Sequence, residues 1–325
     1  MFVHRWGMAR KRKKVLGQKA YYHLMSRTVN GEALFGRVER EVFRKMIWQV
    51  ADFSGVRVIT YAVMKNHFHI LAEVPSGDVS VSDEEIVRRY KRLYPRPTPW
   101  QPMPAEVLRG HLRDNSEEGQ RLRAQLLRRM HDVSEMMKTL KLRFSIWFNR
   151  SSGRFGTLWS ERFKSVLIEG SRFALRTVAA YIDLNAVRAG IVSDPKDYRF
   201  CGYGEAVSGK RIAREGISAV SGDLSGYREL LYGAGSVEKD GKSSILRDQA
   251  VKVLTREKGK IPLAALLRCR VRYFSDGVIL GSEKFVREQL RKDPPGKRPK
   301  VPREMRGTDW NGLMVGSSLK SRLFE

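Results

Sequence analysis

Apolar and polar positions alternate with a period of two over residues 21–29, "YYHLMSRTV", which predicts a strand. A helical period comes next in "EREVFRKMIWQVADFSG" (39–55), closed by Gly55. Two further strand-like runs, "VRVITYAVM" and "HFHILAEVP", are separated only by Lys65 and Asn66, as in a hairpin. Residues 76–130 break this regularity. "PSGDVSVSDEE", "YPRPTPWQPMP" and "DNSEEGQ" read as loops between charged helical pieces, and so long an excursion between core elements reads as an insertion. From 131 a long amphipathic helix carries Val133, Met136, Met137, Leu140, Phe144 and Trp147 at helical spacing, a stripe for core packing. "GTLWSERFKSVLIEG" (156–170) supplies another strand. A last helix over 171–190 has Ser171 at its N-cap and Gly190 just past its end.

The element order is therefore βαββ, insertion, αβα. This is the order of a ferredoxin-like α+β layer, an antiparallel sheet with packed helices. The core spans 15–205, preceded by a basic arm over 1–14 in which no acid appears, and succeeded by a linker over 206–234. Short helical patterns over 235–292 predict a small α-helical C-terminal domain, with a helix-turn-helix-like arrangement as one form open to it. Residues 293–325, introduced by the Pro-rich "RKDPPGKRPKVPRE" (291–304), read as a basic flexible tail.

Charge narrows the partner. The 325 residues include 62 Lys+Arg against 35 Asp+Glu, a net charge of +27, which seeks a polyanion and above all nucleic acid. No apolar run is long enough to span a membrane, and "MFVHRWGMARKRKK" does not read as a signal peptide, so a cytoplasmic, membrane-free location is expected. Cys201 and Cys269 are too few and too far apart to predict a disulfide framework or a zinc site.

Candidate chemistry begins with His67 and His69. Positions two apart on a strand share a face, so the two imidazoles can approach one divalent ion, whereas Phe68, Ile70, Ala72 and Val74 fall on the apolar face. Nitrogen ligands completed by oxygen and water suit Mg²⁺ or Mn²⁺. The same pattern also describes two hydrogen-bonded or surface histidines. On the last core helix Tyr181 and Asn185 are four residues apart, with Arg188 seven from the tyrosine, so the three form one stripe. If that helix lies across the histidine face, the Asn185 carboxamide can join His67 and His69 as a metal ligand. The Tyr181 phenol then points at a bound phosphodiester, where its oxygen can displace a sugar hydroxyl. Read alone, Tyr181 is a core tyrosine with a satisfied hydroxyl.

"MKNHFHILAEVP", "GTLWSERFKSVLIEG" and "YIDLNAVRAGIV", in this order over residues 15 to 205, resemble the signatures of single-tyrosine HUH transposases, specifically their REP-associated branch. The resemblance implies a catalytic domain over 15–205 that cleaves and rejoins single-stranded DNA at hairpin-forming or palindromic sites, through a 5′-phosphotyrosine. It places His67 and His69 as the motif histidines, Tyr181 as nucleophile and Asn185 as the helix-borne polar ligand. The family usually has proline after that asparagine; here the residue is Ala186. Relatives act as monomers or as homodimers that exchange tyrosine helices. Lys65, Arg154, Arg162, Lys164 and Arg188 are candidate phosphate contacts, and Phe155, Trp159 and Phe163 candidate stacking platforms for unpaired bases, core packing being the alternative for the aromatics. A DNA-binding protein that no longer cuts and a hydrolytic metal nuclease are the competing functions.

Overall fold

The computed structural model describes residues 13–15, 17–76, 80–99, 101–232, 263–268, 271–292, 301–306 and 308–316. Its centre has the expected order. Strand β1 (Ala20–Arg27) leads to helix α1 (Arg37–Ser54), then to the hairpin β2 (Arg57–Val63) and β3 (His67–Val74). The insertion is helical, with α2 (Asp83–Leu93), α3 (Ala105–Arg113) and α4 (Glu117–Leu127), and leads into α5 (Val133–Ser152), β4 (Lys164–Ile168) and α6 (Arg172–Asp183). Strands β2, β3, β1 and β4 lie side by side in that order with every neighbour antiparallel, the ferredoxin-like arrangement. Gly55 closes α1 in the left-handed region at φ 62°, where the lack of a β-carbon removes the steric penalty.

The two sheet faces have separate roles. Phe68 packs against Phe43 of α1 at 4.7 Å between ring centroids, within a cluster that also holds Phe35, Phe144 and Trp159. Each of these rings is buried, and each contributes about 1.5–3 kcal/mol by leaving water. The neighbouring residue, His69, points the other way, toward α6. Helices α1 and α5 therefore cover the apolar face and α6 covers the histidine face.

A bulge between Val58 and Thr60 resets the β2–β3 register, so that Thr60 pairs with Leu71 on the histidine face. There its hydroxyl donates to the Asp183 carboxylate at 2.8 Å. The carboxylate also accepts from Tyr227 Oη at 2.6 Å and from the Tyr203 backbone amide at 3.1 Å. Asp183 is wholly buried, and desolvation pushes its carboxyl up to about 6. This one side chain ties the tyrosine-bearing helix to β2 and to the chain beyond residue 200.

That stretch corrects the expectation of a linker over 206–234. It forms α8 (Gly202–Val207), α9 (Arg211–Ser221) and α10 (Leu224–Tyr232), after the short α7 (Asn185–Arg188). Helix α9 packs onto the edge strand β2 so closely that a β-carbon on Gly216 would lie 2.5 Å from the Ile59 carbonyl oxygen. An edge strand needs such a cover.

The C-terminal expectations are corrected as well. Residues 233–262, and with them the start of the expected helical domain, lie outside the described residues. Beyond them the chain is joined to the central sheet. After α11 (Leu263–Leu267) and α12 (Tyr273–Asp276), strand β5 (Ile279–Ser282) pairs in parallel with β4. Helix α13 (Glu283–Arg291), β6 (Arg303–Glu304) and β7 (Leu313–Val315) then complete a seven-stranded sheet in the order β2-β3-β1-β4-β5-β7-β6. The physical reason is the free edge of β4, which β5 pairs; the Ser282 hydroxyl and amide also bond the Glu169 carboxylate at 2.7 and 2.8 Å. Residues 303–304 and 313–315 of the expected flexible tail thus carry strand structure. The basic arm lies outside the described residues except for Lys13 and Lys14.

Candidate metal and nucleophile centre

Register decides what shares the histidine face. In the β1–β3 ladder Arg27 stands opposite His67, Met25 opposite His69 and His23 opposite Leu71. Cross-strand partners point to the same side, so His23, Met25 and Arg27 join His67 and His69, and Lys164, paired with Met25 from β4, joins them too. His23 and Arg27 went unpredicted in the sequence.

The imidazoles are grouped. The rings of His67 and His69 are 5.2 Å apart and those of His23 and His69 5.0 Å apart. His23 Nε2 lies 2.9 Å from His69 Nδ1, and His23 Nδ1 lies 2.8 Å from the Phe274 carbonyl oxygen. Desolvation holds His23 down at about 4 and His69 well below the usual imidazole range, with neighbouring histidines and Arg188 adding to the effect on His69. Both are neutral rings at pH 7. The third imidazole, His67, has its Nδ1 2.7 Å from the Asn66 Oδ1. Since the Asn66 amide nitrogen donates to the Gly31 carbonyl at 2.8 Å, that Oδ1 is the acceptor and His67 Nδ1 carries the proton.

Helix α6 brings Tyr181 to this cluster, its ring centroid 6.1 Å from both His23 and His69. Tyr181 is buried, and Phe274 packs on its ring at 4.5 Å. The expected unbroken helix over 171–190 is interrupted at Leu184, whose ψ of 0° ends α6, and Asn185 opens α7. The Asn185 carboxamide still reaches back: its nitrogen donates to the Ile182 carbonyl at 3.0 Å, and its oxygen accepts from Arg188 at 2.6 Å.

Arg188 is turned inward. Its guanidinium donates to the carbonyls of Tyr181 at 2.8 Å and Leu267 at 3.2 Å and lies 4.1 Å over the Tyr181 ring. Three of its donors are thus engaged by protein oxygens, which sets Arg188 apart from the other candidate phosphate contacts. The expected role of Trp159 needs correction. It is buried among Phe35, Phe43 and Phe68, and its indole N–H donates to Ser145 Oγ at 2.9 Å, so it is a core ring rather than a platform for bases. Phe163 is buried too. Phe155, by contrast, is 92% exposed in the α5–β4 loop. Lys65 and Arg162 are exposed, Lys164 is half-exposed near Asp276 at 3.9 Å, and Arg154 pairs with Glu32 at 3.2 Å.

Among the described residues no three His, Cys, Asp or Glu side chains gather as a metal site. The chemistry of the donors nonetheless fits a divalent ion at the His67–His69 pair. Both are imidazoles whose Nδ1 is engaged by the protein, so Nε2 is the nitrogen that each would turn to an ion. The Asn185 oxygen is the poorer member, since it would have to serve an ion and the Arg188 guanidinium together or release the latter.

Among the described residues no helix is long and apolar enough to cross a membrane. No curated protein matches the chain. The chain is similar to a solved REP-associated tyrosine transposase bound to a REP hairpin, at 16% identity over 63% of this chain and 90% of that one, with a TM-score of 0.37. Residues 17–97 match the family described as IS200-like transposase, a stretch that contains His23, Arg27, His67 and His69 and ends before Tyr181. The transposase resemblance carried by the histidine strand is thus met by a family match over β1 to α2.

Proposed function

We propose that this chain is a metal-dependent single-stranded DNA endonuclease and strand transferase, a transposase that cuts hairpin-forming or palindromic DNA through a 5′-phosphotyrosine. The observation that carries this reading is the approach of the Tyr181 ring to His69 on one sheet face. The IS200-like match over 17–97 supports it from the histidine side.

His67, His69 and, where Arg188 releases it, Asn185 would hold Mg²⁺ or Mn²⁺. Bound there, the ion supplies Lewis-acid polarisation of a non-bridging phosphate oxygen. The rest is done by the chain. Arg27 and Lys164, cations on the same face, draw the DNA backbone to the sheet. The Tyr181 oxygen loses its proton and forms a bond to phosphorus, while the bond from phosphorus to the 3′ oxygen breaks and that oxygen leaves as a hydroxyl. The phosphotyrosine keeps the energy of the original diester, so a second 3′ hydroxyl reverses the step and reseals a strand without ATP. Burial of the Tyr181 and His69 rings keeps water from competing.

Cleavage of an end-labelled DNA hairpin with Mn²⁺ tests the reading. Tyr181→Phe is expected to abolish cutting and retain hairpin binding. Full cleavage by that variant would favour hydrolysis by a metal-bound water, and tight hairpin binding by the intact chain without cleavage under any metal would favour a binding protein.

A further inference from the structure

The C-terminal segment reaches into the histidine face with the Phe274 carbonyl oxygen, and that contact has a directional consequence. A carbonyl only accepts hydrogen bonds, so the proton between it and His23 sits on His23 Nδ1. A neutral imidazole with its proton on Nδ1 has an acceptor at Nε2. His23 Nε2 therefore accepts from His69 Nδ1 across their 2.9 Å contact, and the His69 proton sits on Nδ1. The basic lone pair of His69 is then on Nε2. All three groups are buried, with His23 at 0% and Phe274 at 0% exposed, so water does not replace a missing link.

We infer that His23 is a positioning residue, which relays the acceptor character of the Phe274 carbonyl to His69 and so fixes the tautomer in which His69 offers Nε2 to a metal ion. The consequence for metal rests on the function proposed above; the proton order rests on the hydrogen bonds alone. The relay also gives the C-terminal segment a part in the site. Phe274 lies beyond 205, where the compact core was expected to end, and far outside the 17–97 match. The same segment supplies the Leu267 carbonyl to Arg188 and the Phe274 ring to Tyr181. Strand β5, paired with β4, anchors it.

The test is long-range proton–nitrogen correlation NMR on the full-length, metal-free chain labelled with ¹⁵N-histidine, then Mn²⁺ titration. In the intact protein His23 and His69 are both expected as Nδ1–H tautomers. His23→Phe fills the space but removes the acceptor; it is expected to shift His69 toward Nε2–H and to weaken Mn²⁺ binding about 10- to 100-fold. His23→Gln, whose amide can accept from His69 and donate to Phe274, is expected to retain both the tautomer and most of the affinity, and it serves as the test should the phenylalanine variant not fold. An Nε2–H signal for His69 in the intact protein, or its Nδ1–H signal unchanged in His23→Phe, would overturn the assignment. Absence of Mn²⁺ binding with the tautomers as described would instead overturn the metal reading and leave the relay standing.

Discussion

Arg27 stands directly opposite His67 in the β1–β3 register, so a guanidinium and a candidate metal ligand share one edge of one sheet face. Among the described residues the Arg27 side chain makes no hydrogen bond or ion pair, and it is exposed. It is therefore available to a phosphate in a way that Arg188, committed to three oxygens, is not. Arg27→Ala is expected to weaken single-stranded DNA binding and to lower the slope of log affinity against log salt by about 0.7, the value for one phosphate contact to a single strand. Affinity measured across a series of salt concentrations checks both effects.

The loop between α5 and β4 separates two aromatic roles. Phe155→Ala is expected to leave the melting temperature unchanged and to cost about 1–3 kcal/mol in single-strand binding if the ring stacks on a base. Trp159→Ala empties a place among Phe35, Phe43, Phe68 and Phe144 and is expected to cost about 3–5 kcal/mol of stability. Thermal melting beside binding titration distinguishes them.

Asp183 holds α6 in place by accepting from Thr60, Tyr227 and the Tyr203 amide. Asp183→Ala leaves three buried donors without an acceptor and is expected to destabilise the fold by about 3 kcal/mol or more. Tyr227→Phe removes one donor and is expected to cost about 1 kcal/mol. Denaturant unfolding gives both values.

Two partly buried carboxylates that face arginines, Glu41 and Glu85, link stability to acid pH. Hydrogen bonds from Arg44 hold Glu41 down at about 2, opposed by desolvation and helped by Arg199, and Arg88 does the same for Glu85. A carboxyl depressed on folding binds its proton more readily in the unfolded chain, so its stabilisation is complete above the ordinary value near 4.5 and lost as pH falls toward 2. Solvent screening keeps each contribution to about 1 kcal/mol. Glu41→Gln is expected to lower stability at pH 7 by that amount and to shallow the loss of stability between pH 4.5 and 2. Unfolding midpoints across that range measure it.

The features legible in the sequence were local ones. His67 and His69 are two apart on one strand, and Tyr181 and Asn185 four apart near one helix end, so simple periodicity gathers each pair. The βαββ and αβα patterns likewise order the four central strands. His23 escaped because its place beside His69 depends on the β1–β3 register, which no local pattern encodes; the signal was the set His23, Met25 and Arg27 recurring at alternate positions. Trp159 was misread because a core ring and a stacking platform have the same composition. Strands β5, β6 and β7, of four, two and three residues, are too short to show alternation. The break at Leu184 has no proline or glycine to announce it.

The central claim is that the Tyr181 oxygen becomes bonded to DNA. Incubating the full-length chain with a 3′-labelled suicide hairpin and Mn²⁺, then digesting the denatured complex and weighing its peptides, tests it most directly. The expected result is a label-bearing peptide in which Tyr181 carries the 5′ phosphate, absent with chelator and absent in Tyr181→Phe. Cleaved DNA with a free 5′ phosphate and an unmodified Tyr181 peptide would contradict it.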